Sequence, residues 1–93
     1  MIKSFKNKKL KRFYEQADAA ALPAAQLEKI SDVLAVLDTA EDPAEVGLFP
    51  GWRRHPLKGD LKGFWSVTIT GNWRVIFRFE DGDAFDVDLV DYH

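Results

Sequence analysis

A β-hairpin in the second half of the chain is the feature that most limits what this sequence can fold into. Apolar and polar residues alternate through Trp65–Thr70, which is the period of a half-buried strand. Gly71-Asn72 then supplies a two-residue turn, where a positive φ costs little. The alternation resumes through Trp73–Phe79 and places Arg74, Ile76 and Arg78 on one side. The hairpin therefore predicts a sheet with one apolar face and one face that carries arginines.

Two helices are predicted before the hairpin. The first has an apolar stripe at helical spacing and follows Asn7, which is an acceptable N-cap. We expect it to end in the stretch before Pro23, because the residue before a proline leaves the α region. A second stripe predicts a helix with Pro23 in its first position. The stripes consist of Leu10, Phe13, Tyr14 and Ala17, then of Leu27, Ile30, Leu34 and Leu37.

Shorter patterns complete the predicted fold. Residues 2–5 are a candidate first strand, and residues 40–50 lose all period and predict a loop. Val46, Leu48 and Phe49 of that loop are expected to pack against the sheet. After the turn signal at residues 80–83, a last strand is expected to bury Phe85, Val87 and Leu89. The sequence thus predicts a single α+β domain over residues 1–93, in the order β-α-α-β-β-β-β, with two helices on a small, mostly antiparallel sheet.

Charge is segregated along the chain, although the net charge is only −2. Residues 1–12 carry six Lys/Arg and no acid, and residues 50–78 carry six Lys/Arg and one Asp. Residues 13–49 carry eight Asp/Glu and one Lys, and residues 79–93 carry six Asp/Glu and no Lys or Arg. A basic face can therefore meet a phosphate ligand. The acidic stretch 13–49 is expected to face away from RNA or toward a protein partner.

Composition excludes several kinds of protein. The chain has no cysteine, so disulfides and thiolate metal sites are excluded. Neither of its two histidines has a carboxylate or a third histidine at ligand spacing, and we expect neither metal nor other cofactor. No apolar run approaches the ~20 residues that span a bilayer. The basic N-terminus has no apolar segment after it, unlike a secretory signal. We expect a cytoplasmic protein that does not enter membranes.

The second basic block holds the residue types that RNA cleavage needs. Internal transfer requires a base for the ribose 2′-OH, cations for the phosphorane and an acid for the leaving 5′-oxygen. Histidine suits both proton roles, and lysine acts as a fixed cation or a base. Arginine binds phosphate oxygens through planar donors, and tyrosine offers a hydroxyl and a stacking ring. The candidates are His55, Lys58, Arg74, Tyr92 and His93.

Each candidate also has a purely structural interpretation. A lone histidine is more often a half-buried ring bonded to its neighbours, and a lone lysine is more often a surface residue. Arg74 can pair with Asp86 or Asp88 across strands, worth roughly 0.2–1 kcal/mol. Asn72 can serve only its turn. The candidates gain weight because these interpretations are independent of one another, yet all the residues fall on one predicted sheet.

The chain resembles the HigB-type toxins of bacterial toxin–antitoxin pairs, a branch of the RelE/ParE superfamily. The resemblance runs nearly end to end. It is carried by MIKSF at the start, Leu37–Ala40, HPLKGD at 55–60, WS at 65–66, GNWR at 71–74, GDA at 82–84 and the terminal DYH. It implies two N-terminal helices on a small, mostly antiparallel sheet, in agreement with the periodicity.

The resemblance implies a ribosome-dependent endonuclease that cuts mRNA in the A site and is bound by a HigA-type helix-turn-helix antitoxin. The family's active-site positions fall on His55, Lys58, Arg74, Asp91, Tyr92 and His93, and a position that contacts mRNA falls on Asn72. Arg54 and Lys62 of the same basic block are further candidates for substrate binding. Two other functions stay open. One is a ParE-like toxin that binds gyrase without catalysis, against which the His, Lys and Tyr motif argues. The other is an inert homologue that only binds its antitoxin.

Overall fold

Helices cover one face of an antiparallel sheet, as the sequence predicts. A computed structural model describes residues 1–91, and within them the sheet has four strands in the order β1-β2-β3-β4. The helices are α1 (Lys8–Gln16), α2 (Leu27–Thr39) and α3 (Pro43–Val46). The strands are β1 (His55–Pro56), β2 (Trp65–Thr70), β3 (Trp73–Glu80) and β4 (Asp83–Asp91), and 3₁₀ turns occupy Ala24–Gln26 and Gly59–Leu61. The predicted α+β fold class is confirmed.

The core lies between the helices and one face of the sheet. Every second residue of the central strands is buried there, and α1 and α2 contribute the facing aliphatic side chains. Full burial of such a side chain contributes ~1.5–3 kcal/mol, so the alternation in the strands decides which face the helices cover. The opposite face is left with the polar residues and with Ile76, which is buried there opposite Ser66. The core includes Leu10, Ile30, Val33, Leu34, Leu37, Val67, Ile69, Val75, Phe77 and Val87.

A β-bulge reconciles the apolar pattern of the hairpin with its two-residue turn. Thr70 pairs with Trp73 across Gly71-Asn72, and continuing that register would set polar Thr68 opposite apolar Val75. Residues directly opposite each other share a face, so the pattern and the turn conflict. The register shifts between Thr68 and Thr70, and Val75 pairs with Val67 instead. The shift returns both valines to the core.

A second bulge moves Phe85 away from its predicted place. Asp86 has a φ of 54°, and the pairing of β3 with β4 shifts between Ile76 and Arg78. Phe85 therefore lies opposite Arg78, whose guanidinium carbon is 4.9 Å from the ring centroid. The prediction that Phe85 shares the buried face with Val87 is wrong, because a bulge adds one residue to the period of two.

The predicted first strand is an extended segment with two isolated parallel bridges to β4. Ile2 pairs with Ala84 and Phe5 pairs with Val87. Between them, Ser4 Oγ accepts a 2.8 Å hydrogen bond from the Asp86 amide at the bulge. The two bridges are three residues apart on both segments, and the bulge at Asp86 lies between their partners on β4. A regular ladder, which repeats every two residues, is thereby interrupted.

The start of α1 agrees with the prediction, whereas the end of α1 and the start of α2 differ from it. Asn7 is the N-cap of α1 as predicted, and its Oδ1 accepts from the Lys9 and Leu10 amides at 2.9 and 3.1 Å. The helix ends at Gln16, because Ala17 adopts a left-handed φ of 56°. Pro23 precedes the 3₁₀ turn and does not start α2. Of the stripe predicted for α1, only Leu10 is fully buried.

The segment predicted as a loop contains the short helix α3. Asp42 caps it by accepting from the Ala44 amide at 2.8 Å, and Pro43 occupies its first turn. Val46 is buried as predicted, but Leu48 and Phe49 are 77% and 42% exposed. The prediction that these two pack against the sheet is wrong. Trp52 fills the core position instead, and Phe49 stacks on its ring at 4.4 Å between centroids.

Asp38 fastens α1 and the N-terminal segment to α2. Its Oδ1 accepts from the Tyr14 hydroxyl at 2.6 Å and from the Ile2 amide at 3.1 Å. The Tyr14–Asp38 hydrogen bond raises the pKa of Tyr14 to about 12 and lowers the pKa of Asp38, since the bond is made by the phenol and the carboxylate. Leu37 and Ala40 beside it are buried, so the segment 37–40 has a structural role.

Candidate active site

A groove lined by three arginines opens on the polar face of the sheet. Its volume is about 360 Å³, and an imidazole and two hydroxyl-bearing side chains complete its lining. No carboxylate among residues 1–91 lines it. The groove therefore concentrates positive charge where the helices do not reach. Its lining residues are Arg53, Arg54, His55, Ser66, Thr68 and Arg74.

The register of the sheet brings residues from distant parts of the chain to this groove. His55 pairs with Ser66 across β1 and β2, and Thr68 pairs with Arg74 across β2 and β3. Residues directly opposite have Cβ atoms about 5 Å apart and share a face. Since Ser66 and Thr68 are two residues apart on β2, His55 and Arg74 occupy neighbouring rows. The predicted imidazole and guanidinium thus border one concavity.

Arg74 is held by backbone carbonyls and by no carboxylate of residues 1–91. Its Nη1 donates to the Gly71 oxygen at 2.7 Å and to the Trp73 oxygen at 3.1 Å. The alternative of a cross-strand ion pair with Asp86 or Asp88 does not occur. Asp86 binds Arg78, and Asp88 Oδ1 accepts from the Leu89 amide at 2.9 Å. A guanidinium has five N–H donors, and Nη1 supplies only two of them. The remaining donors of Arg74 can bind phosphate oxygens.

Arg78 lies on the same strand but has no part in the groove. Its Nη1 lies 2.9 Å from Glu80 Oε2, and its Nε lies 2.8 Å from Asp86 Oδ2. These hydrogen bonds, first to Glu80 and then to Asp86, raise the pKa of Arg78 above its ordinary value. The charge of Arg78 is therefore neutralised within the protein.

The segment between Trp52 and His55 carries two arginines into the groove. The Trp52 oxygen accepts from the Thr68 amide at 2.7 Å, and His55 pairs with Ser66, so both ends are fixed to β2. Arg53 between them has a φ of 50°, a left-handed conformation that costs a non-glycine residue ~1–2 kcal/mol. Such strain is concentrated at functional sites.

Of these two arginines, Arg54 was predicted to bind substrate and Arg53 was not. The Arg54 guanidinium carbon lies 4.6 Å from the centroid of the Trp65 ring, which fixes its position at the wall. The only sequence signal for Arg53 was its membership of the basic block at residues 50–78. Ser66 and Thr68 were also missed. Strand alternation places them on the face of Arg74, so their signal was the period of β2.

Three other predicted residues lie outside the lining of the groove. Lys58 is exposed and precedes the 3₁₀ turn Gly59–Leu61, three residues after His55. Lys62 follows that turn and is also exposed. Asn72 is exposed in the turn beside Gly71, whose carbonyl holds Arg74. Each of the three is close in sequence to a residue that lines the groove or holds one of its arginines.

The C-terminal motif is described only in part. Asp91 ends β4, opposite Trp73. Tyr92 and His93 lie outside the described residues. Within residues 1–91, no three His, Cys, Asp or Glu side chains are grouped as metal ligands would be.

The sequence matches a known toxin family along nearly its whole length. Residues 3–93 match the sequence model of the HigB-like toxins, described as the RelE-like toxin of type II toxin–antitoxin system HigB. The chain belongs to this family. It is 43% identical over 93 residues to "Endoribonuclease HigB" of Proteus vulgaris, with 100% of both chains covered. It is 33% identical over 90 residues to "Toxin HigB-1" of Vibrio cholerae serotype O1, covering 96% of this chain and 95% of that one.

Membership makes this HigB-family chain the toxin of a type II pair, with an antitoxin as its partner. Two solved structures share its fold. A copper-bound mutant toxin from Helicobacter pylori has a TM-score of 0.55 at 18% identity, over 98% of this chain and 94% of that one. A YoeB/ParE toxin from Agrobacterium tumefaciens has a TM-score of 0.50 at 20% identity, over 92% and 88%. Every helix in residues 1–91 is too short or too polar to cross a bilayer.

Proposed function

We propose that this HigB-family toxin is a ribosome-dependent mRNA endonuclease whose groove holds the scissile phosphate. The observation that carries the proposal is a concave site lined by three arginines and His55, with no carboxylate from residues 1–91 in its lining. Such a site attracts a polyanion and repels cationic groups. The name of the Proteus vulgaris relative, an endoribonuclease, supports the same reaction. Residues 1–93 act as a single toxin domain.

The arginines bind the phosphate and stabilise the charge that develops on it. Arg74 enters with its Nη1 already bound to two carbonyls, so its orientation is set before RNA arrives. Arg54 is held against Trp65, and Arg53 stands beside it on a segment fixed at both ends. Donors that are placed in advance stabilise a pentacovalent phosphorane more than the starting diester. Thr68 and Ser66 add hydroxyl donors at the floor of the groove.

Cleavage proceeds by attack of the ribose 2′-oxygen on the adjacent phosphorus. The bond from O2′ to phosphorus forms, the bond from phosphorus to O5′ breaks, and a 2′,3′-cyclic phosphate and a 5′-hydroxyl result. One group takes the 2′-OH proton and another gives a proton to O5′. His55, at the edge of the groove, carries one of these roles, and Lys58 or His93 carries the other. Tyr92 stacks or orients the substrate, and Asp91 holds a catalytic ring or Lys58.

The ribosomal A site supplies mRNA in the extended form that fits an open groove. Arg54, Lys62 and Asn72 contact the strand on either side of the cut. The acidic segments of residues 13–49 turn away from ribosomal RNA, since like charges repel. The partner that controls the toxin is a HigA-type helix-turn-helix antitoxin. All these molecules meet in the cytoplasm.

The test compares cleavage of one transcript in translated and untranslated form. Wild-type toxin should cut only the translated transcript, at codons, and should leave 5′-hydroxyl ends. The His55→Gln variant should cut at least about 10²-fold more slowly, which is the usual worth of one proton-transfer group. Lys29→Gln on α2, outside the groove, is the matched control and should cut at the wild-type rate. Equal cleavage of both transcripts would refute ribosome dependence. Inhibited DNA supercoiling with intact mRNA would select the gyrase-binding alternative.

A further inference from the structure

An exposed apolar surface, which shares no lining residue with the groove, lies on α2 and on the segment that follows α3. We define the Phe49 surface as Val36, Leu48, Phe49 and Pro50. Leu48 is 77% exposed and Phe49 is 42% exposed, and adjacent exposed apolar side chains of this kind mark interaction sites. We propose that the Phe49 surface is the docking site of the antitoxin.

The shape of the surface suits an inserted side chain. Hollows of about 430 and 320 Å³ flank Phe49, and both have Val36 and Phe49 in their walls. Pro50 and Trp52 complete the first hollow, while Leu48 and Ala40 line the second. Protein interfaces draw most of their binding energy from a few anchor side chains that fill well-packed pockets.

The surface is rigid before a partner arrives. Phe49 stacks on Trp52 with 4.4 Å between ring centroids, and the Trp52 amide donates to the Phe49 oxygen at 3.3 Å. Trp52 itself is buried in the core, and its own carbonyl is bonded to β2. A partner that docks here therefore loses little affinity to ordering of the toxin.

The charges around the surface decide what can occupy it. One hollow includes Asp32 and the other includes Glu45, and no lysine or arginine of residues 1–91 lines either. RNA and an anionic membrane surface are repelled by these carboxylates. A second copy of the toxin, related by a two-fold axis, would set the same acidic rims against each other. The occupant that fits is a protein with an apolar side chain flanked by Lys or Arg.

The antitoxin is the protein partner that the family of this chain requires. The inference rests on that family and on the Phe49 surface, and it does not depend on RNA cleavage in the groove. Binding and cleavage can therefore be measured separately, and the failure of one does not imply the failure of the other.

The experiment measures binding of the purified cognate antitoxin to toxin variants whose folding is checked by circular dichroism. Leu48→Ser removes an exposed side chain and should raise the Kd at least about tenfold, since a buried leucine anchor is lost. Leu48→Met keeps the apolar area and should bind within about twofold of wild type. Asp32→Lys should weaken binding several-fold, and Glu15→Lys on α1 is its matched control with no expected change.

Two results would overturn the docking site, and a third would concern only the nuclease function. A Kd that stays within about threefold of wild type for both Leu48→Ser and Asp32→Lys overturns the docking site. Loss of binding that equally affects Glu15→Lys or Leu48→Met also overturns it, because the effect is then not local to the surface. The free Leu48→Ser toxin should keep the wild-type cleavage rate. If wild type itself does not cleave RNA, the proposed nuclease function fails while the binding result stands.

Discussion

Arg74 and Arg78 lie four residues apart on one strand and on one face of the sheet, yet their surroundings are opposite. Arg78 is bound to two carboxylates at 2.8 and 2.9 Å. Arg74 donates to two backbone carbonyls and has no carboxylate of residues 1–91 in the groove around it. The first guanidinium is an anchor between strands. The second is oriented but keeps its charge for an incoming anion.

An arginine on this face of β3 remains available to a ligand only where no acidic side chain binds it. The β3–β4 turn is rich in acids, and Glu80 and Asp86 neutralise the nearest cation. The β2–β3 turn is Gly71-Asn72, which offers a carbonyl and no carboxylate. Carbonyls orient a guanidinium through partial charges and do not cancel its net charge. β3 therefore begins in the basic block of the sequence and ends in the acidic one.

The largest expected effect follows from removing the oriented arginine. Arg74→Ala should lower the rate of mRNA cleavage about 10²-fold, because a preplaced donor to the phosphorane is lost. Its Tm should stay near that of wild type, since the lost contacts are two partly exposed bonds to carbonyls. Single-turnover cleavage on ribosomes and thermal unfolding measure the two quantities. A slow variant with a strongly lowered Tm would mean that Arg74 is an anchor like Arg78.

A smaller effect is expected at Arg53, which sequence reasoning missed. Arg53→Ala should weaken RNA binding several-fold, and it should lower the slope of log K against log salt by about one. The substitution should not raise the free energy of unfolding, because alanine at a φ of 50° is strained as well. Titrations of RNA at several salt concentrations test this. An unchanged slope would exclude a phosphate contact from Arg53.

Removing the charge of Arg78 should lower the Tm and leave the cleavage rate almost unchanged, the reverse of the result expected for Arg74→Ala. Arg78→Gln should lower the Tm by a few degrees, because two hydrogen-bonded carboxylates lose their cation and the cross-strand tie is cut. The cleavage rate at a temperature where the variant is folded should stay within about twofold of wild type. A rate loss as large as that of Arg74→Ala would place Arg78 in the site and end the comparison.

The sequence predicts which side of each strand is buried but not which arginine is paired. Alternation alone sets Arg74 and Arg78 on one face, as observed. Continuing the register from the Glu80–Asp83 pair would set Asp86 opposite Phe77, toward the core. The bulge at Asp86, with its φ of 54°, gives this carboxylate to Arg78 instead. No residue type at that position announces a bulge, so the ion pair could not be predicted.

The candidate site was predictable to a similar extent. The strand periods bring His55, Ser66, Thr68 and Arg74 to one face once the pairing and its bulge between Thr68 and Thr70 are known. Arg53 depends on a left-handed backbone that arginine does not signal. His55 and Lys58 of the motif at 55–60 are both predicted site residues, but only His55 lines the groove. The chain leaves β1 after Pro56 and enters a 3₁₀ turn after Lys58, so three residues of separation do not fix a shared groove.

The smallest expected effect on the cleavage rate comes from Gly47. This residue does not line the groove, but it lies beside Arg54, which does. A Cβ at this position would lie 3.1 Å from Arg54 Nε, so Gly47→Ala must shift the guanidinium by a few tenths of an ångström from its place over Trp65. Gly47 has a φ of −82°, which alanine adopts without strain, so the variant should fold at least as stably as wild type. Cleavage should nevertheless fall about twofold, since reaction geometry is sensitive to small displacements of a positioned group. The double variant with Arg54→Ala isolates the cause, because Gly47→Ala should add nothing once the guanidinium is gone. An equal loss in both backgrounds would show that Gly47 acts through the backbone, and the contact with Arg54 would then have no part in the chemistry.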